Sequence, residues 1–406
     1  MTRYVIILCD GMADRPVDIL NGRTPLEAAD TPNMDRIAAR GQVGRIRTLY
    51  EELPKGSDVA NLSILGYDPH RYYTGRSPIE ALGLGIPLNA DDTVFRMNLV
   101  TLSEDEPFAQ KTMLDHSSDK ITTEEATELV EALAEQLGTE VERFYTGVSY
   151  RHIFVLNHTA FDGTLTPPHD ILGQTIASYL PAGGRSEAFI RMMERSYEIL
   201  SAHPVNRSRV ARGLRPANCL WLWGDGKKPA YESFREKTGI ERARMITAVP
   251  LLEGLAVGMG LEHPKIPGAT GEYDTNYAGK AASAIEALQN GYAFVFIHIE
   301  APDECGHDGD ALLKQKSIEQ IDRHIVGPVY DALESLGEPY RLVITPDHAT
   351  PVSVRTHTSE MIPFLLCDSR KHTAGACFTE KSAQTAELVI DDGYTLLGRL
   401  MQESAD

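Results

Sequence analysis

The amino-acid sequence predicts an α/β protein in two parts: a sheet covered by helices on both faces, and a smaller α/β domain inserted into it. Three observations predict this. Short apolar, β-branched runs without in/out alternation mark strands buried on both faces, and helical patterns lie between them. The middle of the chain changes texture and carries helices and strands of its own. At 406 residues the chain is also longer than one hydrophobic core usually serves.

Taken in order, Tyr4–Cys9 (YVIILC) reads as the first buried strand, and a helix is predicted over Asn33–Arg40. Beyond the middle, helices are predicted over Tyr277–Gln289, Leu312–Ala332 and Ser382–Gln402. Parallel strands are predicted over Ala293–Ile299 (AFVFIHI), Arg341–Thr345 and Pro363–Leu366. The insertion spans residues 88–245, with helices over Thr123–Leu137 and Arg185–Ser201 and strands over Arg96–Leu102, His152–Leu156 and Cys219–Leu222. Glycine and proline clusters flank it, Gly83-Leu-Gly-Ile-Pro87 before and Gly258-Met-Gly260 and Pro267-Gly268 after. Residues 1–87 and 246–406 are then the outer domain. Trp221 and Trp223 read as packing residues.

Composition narrows the partners. With 39 Lys+Arg against 58 Asp+Glu the formal net charge is −19, the wrong sign for a nucleic-acid or anionic-membrane binder. The 42% hydrophobic content excludes a disordered chain. No run reaches the ~18 apolar residues of a membrane span. The N-terminal run is too short for a signal peptide and lacks a small-residue cleavage site. The five cysteines (Cys9, Cys219, Cys305, Cys367 and Cys377) are scattered and form no C-x-x-C pair, so reduced thiols and a cytoplasmic location are expected.

In a sheet of this kind ligands sit beyond the carboxyl ends of the strands. Asp10 follows the first strand and precedes Gly11, and Asp303 and His307 follow Ala293–Ile299. Asp347 and His348 follow Arg341–Thr345, with His357 nine residues after His348. Carboxylates crowded at one sheet end raise one another's pKa, a cost that bound cations offset. Aspartate with histidine suits Mn²⁺ first, with Zn²⁺ or Mg²⁺ also accommodated. Each element has an ordinary alternative: Asp-Gly is often a turn, D-x-x-x-H one helix face, Asp-His a commonplace dipeptide. Their shared placement is the signal. Asp115-His116 and His298 are left outside the set.

Ser57, in Pro54-Lys-Gly-Ser-Asp-Val-Ala-Asn-Leu62, begins a predicted helix. It reads either as a plain N-cap or as a nucleophile at a helix end that favours oxyanions, its hydroxyl activated by a metal ion. No P-loop, H-E-x-x-H, G-x-S-x-G or post-strand G-x-G-x-x-G is present, which disfavours a P-loop kinase and a Rossmann dehydrogenase.

These residues carry a resemblance. The motif order is similar to that of the alkaline phosphatase superfamily. Within it, DGMADRP, TPLEAADTPNMDRIAARG, KGSDVANLSILGYDPHRYYTGRSPIEA, GVSYRH, PANCLWLWGDGK and APDECGHDGD resemble the archaeal-type cofactor-independent phosphoglycerate mutases and their bacterial relatives, from residue 1 to about residue 400. The resemblance implies an alkaline-phosphatase-like sheet and interconversion of 3- and 2-phosphoglycerate without bisphosphoglycerate, through phospho-Ser57. It implies two divalent ions, one held by Asp10, Ser57, Asp347 and His348 and the other by Asp303, His307 and His357. The insertion would act as a lid that clamps the glycerate carboxylate, with Arg151, His169, Asp170, Asn206 and Arg207 as candidates. Two departures stand out. Asn61 occupies a position where more distant mutases have histidine, and Phe161-Asp-Gly-Thr164 lacks the arginine of their Asp-Gly-Arg-Asp motif.

Three rivals remain open: a homoserine kinase-type phosphotransferase on the same scaffold, a phosphomonoesterase, and a metal-binding protein without activity. A small phosphorylated carboxylate is the expected substrate. Oligomeric state is not legible in the sequence.

Overall fold

The computed structural model describes residues 1–371 and 375–402. In chain order its strands are β1 (Arg3–Cys9), β2 (Gln42–Ile46), β3 (Thr93–Leu102), β4 (Met113–Asp115), β5 (Glu142–Val148), β6 (Arg151–Leu156), β7 (Cys219–Lys227), β8 (Ala243–Ile246), β9 (Phe294–Ile299), β10 (Tyr340–Thr345), β11 (Ile362–Asp368) and β12 (Leu388–Ile390). The chain divides into a unit of residues 1–73 with 231 onward and a unit of residues 74–230. The boundaries fall at 74 and 231, earlier than the predicted 88 and 246. The helix Arg76–Gly83 packs on β3 and β7, and β8 pairs with β9, so both segments side with the sheet they touch.

The first unit is built on one sheet in the order β12-β2-β11-β10-β1-β9-β8. Its centre is β1, parallel to both β10 and β9, with β8 parallel to β9 beyond. Val5, Ile7 and Cys9 point into a core shared with the helix Tyr277–Gln289 and with Ile318, Val329 and Leu333. The alternate residues Ile6 and Leu8 are equally buried. Each such aliphatic side chain contributes ~1.5–3 kcal/mol on burial, so a strand covered on both faces has no reason to alternate in polarity.

The C-terminal third departs from expectation. β11 runs antiparallel to β10 and to β2 rather than parallel. A parallel neighbour needs a crossover, usually a helix, whereas residues 346–361 contain no helix and turn the chain straight back. The helix predicted over Ser382–Gln402 is broken into Glu380–Gln384, β12 and Leu396–Met401, with Asp391-Asp392-Gly393 interrupting the period. The segment predicted over Leu312–Ala332 runs as Ala311–Ile321, a wider turn over Asp322–Val326, and Gly327–Leu336. Pro328, which has no N–H to give, marks the change.

In the second unit β3 is central and pairs antiparallel with β6, β7 and β4, while β5 pairs with β6. Phe95, Met97 and Leu99 face a core with Phe154, Phe189, Met193 and Trp221, covered by the helices Thr123–Leu137 and Ser186–Ser201. The period of two puts Arg96 and Asn98 on the opposite face. Among the described residues no helix is long and apolar enough to cross a membrane.

Candidate active site

The three central parallel strands of the first unit end side by side. β1 delivers Asp10, β10 delivers Asp347 and His348, and β9 leads into the helix Ala301–Asp308 that carries Asp303 and His307 one turn apart. Gly11 makes the convergence possible. It sits at φ +60°, and a Cβ there would lie 2.4 Å from Asp303 Oδ1 and 2.6 Å from Asp303 Cα. Only a residue without a side chain lets these two loops approach so closely.

Two overlapping clusters of donor atoms result, Asp10–Asp347–His348 and Asp303–His348–His357. His348 Nε2 lies 3.5 Å from Asp10 Oδ1 and 3.3 Å from Asp347 Oδ2, so this ring belongs to both clusters rather than to one. His307 Nε2 stands 3.2 Å from Asp303 Oδ2 and 3.1 Å from His357 Nε2.

Hydrogen bonds assign the free lone pairs. His307 Nδ1 meets Arg355 O at 3.1 Å and His357 Nδ1 meets Lys55 O at 2.9 Å, so both rings give their Nδ1 proton to a carbonyl and turn their Nε2 atoms toward each other and toward Asp303. Thr350 Oγ1 donates to Asp303 Oδ1 and stands 3.2 Å from His348 Nδ1, leaving His348 Nε2 bare in turn. Asp10 Oδ1 is buried with no hydrogen-bond partner. Imidazole Nε2 atoms that converge on Asp303, free to coordinate once a cation displaces their proton, and an orphaned carboxylate oxygen form a donor set that fits divalent cations.

The electrostatics agree. Burial, then repulsion from Asp347, Asp303 and Glu300, pushes the Asp10 carboxyl well above the usual carboxylate range. Its hydrogen bond to Asp303 lifts His307 to about 9. Burial acts to raise Asp303, but hydrogen bonds from His307 and His357 hold it well below its ordinary value. Burial lowers His348.

Ser57 is the first residue of the helix Ser57–Ile64, with Gly56 as N-cap, so it is not a capping side chain. Its Oγ stands 3.1 Å from His348 Nε2. Asn61, one turn on, donates to Ser57 O at 2.8 Å and to Asp347 Oδ2 at 3.0 Å, tying the helix to the β10 loop.

The second unit carries a polar and aromatic patch beside its core, against which Trp223 and Tyr150 also pack. The Arg96 guanidinium lies 4.7 Å over the Trp223 ring, and His169 meets Trp223 edge-on at 5.2 Å. Trp223 Nε1 donates to Asn98 Oδ1 at 2.9 Å, and Asn98 donates to His116 O at 3.0 Å. His116 contacts both His169 and Tyr150, and Arg151 lies over Tyr150. Glu80 pairs with Arg96 and Arg76. Burial acts against its charge, but the two guanidiniums hold it at about 2.

A family model described as 2,3-bisphosphoglycerate-independent phosphoglycerate mutase matches residues 38–206. A Geobacter sulfurreducens protein named as a probable mutase of this kind is 45% identical over 401 residues, covering 98% of this chain and 99% of its own length. The Methanothrix thermoacetophila mutase is 46% identical over 395 residues, covering 97% of each chain. This chain belongs to the 2,3-bisphosphoglycerate-independent phosphoglycerate mutase family.

Solved structures agree with that membership. A Pyrococcus horikoshii protein superimposes with a TM-score of 0.82 at 32% identity, covering 98% of this chain and 96% of its own. The cofactor-independent phosphoglycerate mutase of Thermoplasma acidophilum gives 0.67 at 28%, covering 99% of each.

In this member of the mutase family, Asp10, Ser57, Asp303, His307, Asp347, His348 and His357 lie together. Of the candidates in the insertion, Arg151 and His169 join one patch, and Asp170 adjoins His169 at 3.6 Å. Asn206 does not. It is 2% exposed and its amide is spent on Leu200 O, Ala217 O and Ala217 N, bracing a loop that the sequence alone could not show folding back. Arg207 donates to Ala202 O and makes no contact with the patch. The sequence reading did not single out Arg96 or Asn98 and left His116 outside the set; it read Trp223 as packing, and the ring does pack against the core besides joining the patch. Trp221 packs as well, giving its Nε1 proton to Thr166 O. The reading did not single out Thr350, and it left His298 outside the set. The signal for His298 was its polarity inside the apolar run AFVFIHI.

Proposed function

We propose that this chain interconverts 3-phosphoglycerate and 2-phosphoglycerate without bisphosphoglycerate, through a phosphoserine at Ser57. The observation that carries the reading is Ser57 Oγ at a helix N-terminus, 3.1 Å from the one imidazole shared by both donor clusters. Asp10, Asp347 and His348 would hold one divalent ion, and Asp303, His357 and His307 the other, with Mn²⁺ as the best match to mixed carboxylate and imidazole donors. Bound there, such ions lower the serine hydroxyl's pKa and neutralise charge on the transferring phosphoryl oxygens.

Ser57 Oγ then forms a bond to phosphorus as the bond from phosphorus to the glycerate 3-oxygen breaks. The serine proton ends on the released 3-hydroxyl. In the second half the glycerate 2-hydroxyl attacks the phosphoserine, and its proton returns to Ser57. The helix N-terminus favours the added negative charge, and Asn61 keeps Ser57 in register with Asp347. The insertion serves substrate recognition. Its patch offers Arg96, Arg151 and His116, whose Nδ1 is buried without a hydrogen-bond partner, as donors for a carboxylate. Four of the five cysteines are buried thiols, in keeping with a cytoplasmic enzyme.

The test is purified protein with Mn²⁺, given in turn 3-phosphoglycerate, ATP with homoserine, and a generic phosphomonoester. Formation of 2-phosphoglycerate is expected, with Ser57→Ala inactive yet still binding Mn²⁺. Phosphohomoserine without 2-phosphoglycerate would overturn the reading.

A further inference from the structure

A polar row crosses three adjacent strands just behind the metal-ligand cluster. Ile246 pairs with Ile297, which sets Thr247 beside His298. His298 pairs with Leu8, two residues before Asp10 on the same side of β1. The side chains touch in that order. Thr247 Oγ1 stands 3.1 Å from His298 Nδ1, and His298 Nε2 stands 2.7 Å from Asp10 Oδ2. We infer that His298 is a positioning residue, locked by Thr247, that turns the Asp10 carboxylate so that Oδ1 faces the divalent ion. The inference rests on the metal reading of the proposed function.

The donors and acceptors leave little choice of arrangement. With a divalent ion bound Asp10 is a carboxylate, which only accepts, so His298 Nε2 then carries a proton and donates to Asp10 Oδ2. In the neutral ring Nδ1 then accepts, and the Thr247 hydroxyl is the donor facing it. The Thr247 oxygen is itself pinned, because it accepts the Val249 N–H at 3.2 Å. The His298 backbone is held separately, its carbonyl accepting from Lys280 Nζ at 3.0 Å. Backbone and ring are thus both fixed.

What this achieves is visible at Asp10. The terminal torsion of an aspartate is broad and nearly two-fold, so an unrestrained carboxylate would present either oxygen. Here Oδ2 is engaged and Oδ1 is the buried atom left bare, 3.5 Å from His348 Nε2. Any buried histidine needs partners for its nitrogens, but a purely structural pair has no reason to leave its carboxylate's other oxygen buried and unsatisfied, as Asp10 Oδ1 is. His298 is 0% exposed and at 2.7 Å from Oδ2 lies behind the carboxylate, so it acts through Asp10. Partners of this kind are worth ~10–100-fold in metal affinity.

The experiment is Mn²⁺ titration of the metal-free full-length protein by calorimetry, with a melting curve of each metal-free variant. His298→Leu is expected to weaken one of two Mn²⁺ sites by ~10–100-fold and leave the other unchanged. Thr247→Val, which keeps shape and loses only the hydroxyl, should weaken the same site less. His298→Gln, whose amide N–H has similar reach to Nε2, should recover most of the affinity, which a merely space-filling role would not predict. Wild-type affinity in His298→Leu, or a folded His298→Gln as weak as the leucine variant, overturns the inference. If the leucine variant does not fold, wild-type affinity in Thr247→Val overturns it equally. A wild-type protein that binds no Mn²⁺ would remove the metal reading, and this inference with it.

Discussion

Adding one methyl group at Gly11 tests whether the close approach of the β1 and β9 loops sets the activity. At φ +60° an L-residue costs ~1–2 kcal/mol of backbone strain. The larger effect is steric. The new Cβ would lie 2.6 Å from Asp303 Cα, where ordinary contact begins at 3.4 Å, so the Asp303 backbone must retreat by about 0.8 Å. Asp303 carries the cluster that His348, His357 and His307 complete, and a shift of ~1 Å in such a constellation costs ~10²-fold in rate. Gly11→Ala is therefore expected to fold, to melt lower, and to lose ~10²-fold in kcat/KM with 3-phosphoglycerate in an enolase-coupled assay. Gly22→Ala is the control. Its φ is +72° with nothing within 4 Å of the added Cβ, so it carries the strain without the clash. Near-normal turnover in Gly11→Ala, or an equal loss in Gly22→Ala, would refute the reasoning.

Lys314 and Asp14 form a fully buried ion pair at 2.8 Å, and Lys314 also donates to Thr350 O at 2.8 Å, binding together the loops after β1 and β10. Lys314→Met leaves the Asp14 charge uncompensated and should cost ~3–5 kcal/mol in urea unfolding; a change under ~1 kcal/mol contradicts this. In the metal-free protein the Asp303 hydrogen bond raises His307 to about 9, above the ~6.5 of an unfolded chain. Its contribution to stability is therefore full below ~6.5 and lost as pH rises through about 9. Melting in chelator should fall across that window, and His307→Leu should flatten the fall. Mn²⁺ competes with the same proton, so its affinity should rise over the same window; a flat affinity from pH 6 to 9 speaks against His307 as a ligand. Asn61→Leu removes donors to Ser57 O and to the Asp347 carboxylate, a charge-assisted bond worth ~1.5–3 kcal/mol, and is expected to lower kcat ~10–100-fold with KM little changed.

Buried strands were legible wherever their apolar runs were continuous, as in Tyr4–Cys9 and Arg341–Thr345. Direction was not. β11 has the same texture as β10 and runs the other way, because the loop between them decides direction and its residues carry no period. β2, β8 and β12 were missed because strands of three to five residues give too little pattern to count. In the site, Asp10, Asp303, Asp347 and His348 could be read from their places after strands. Asn206 was misjudged because its amide is consumed by backbone groups distant in sequence.

By itself the sequence determined the α/β class and the family, and it set carboxylate and imidazole residues directly after strands. Those follow from local pattern and from the order of motifs. Tertiary structure alone decided that His348 serves both clusters, that His298 stands behind Asp10, and that Arg96, His116 and Trp223 share a face. The reason is physical. A residue's type says which atoms it can offer, but strand register and loop closure, which join residues hundreds of positions apart, decide which atoms meet.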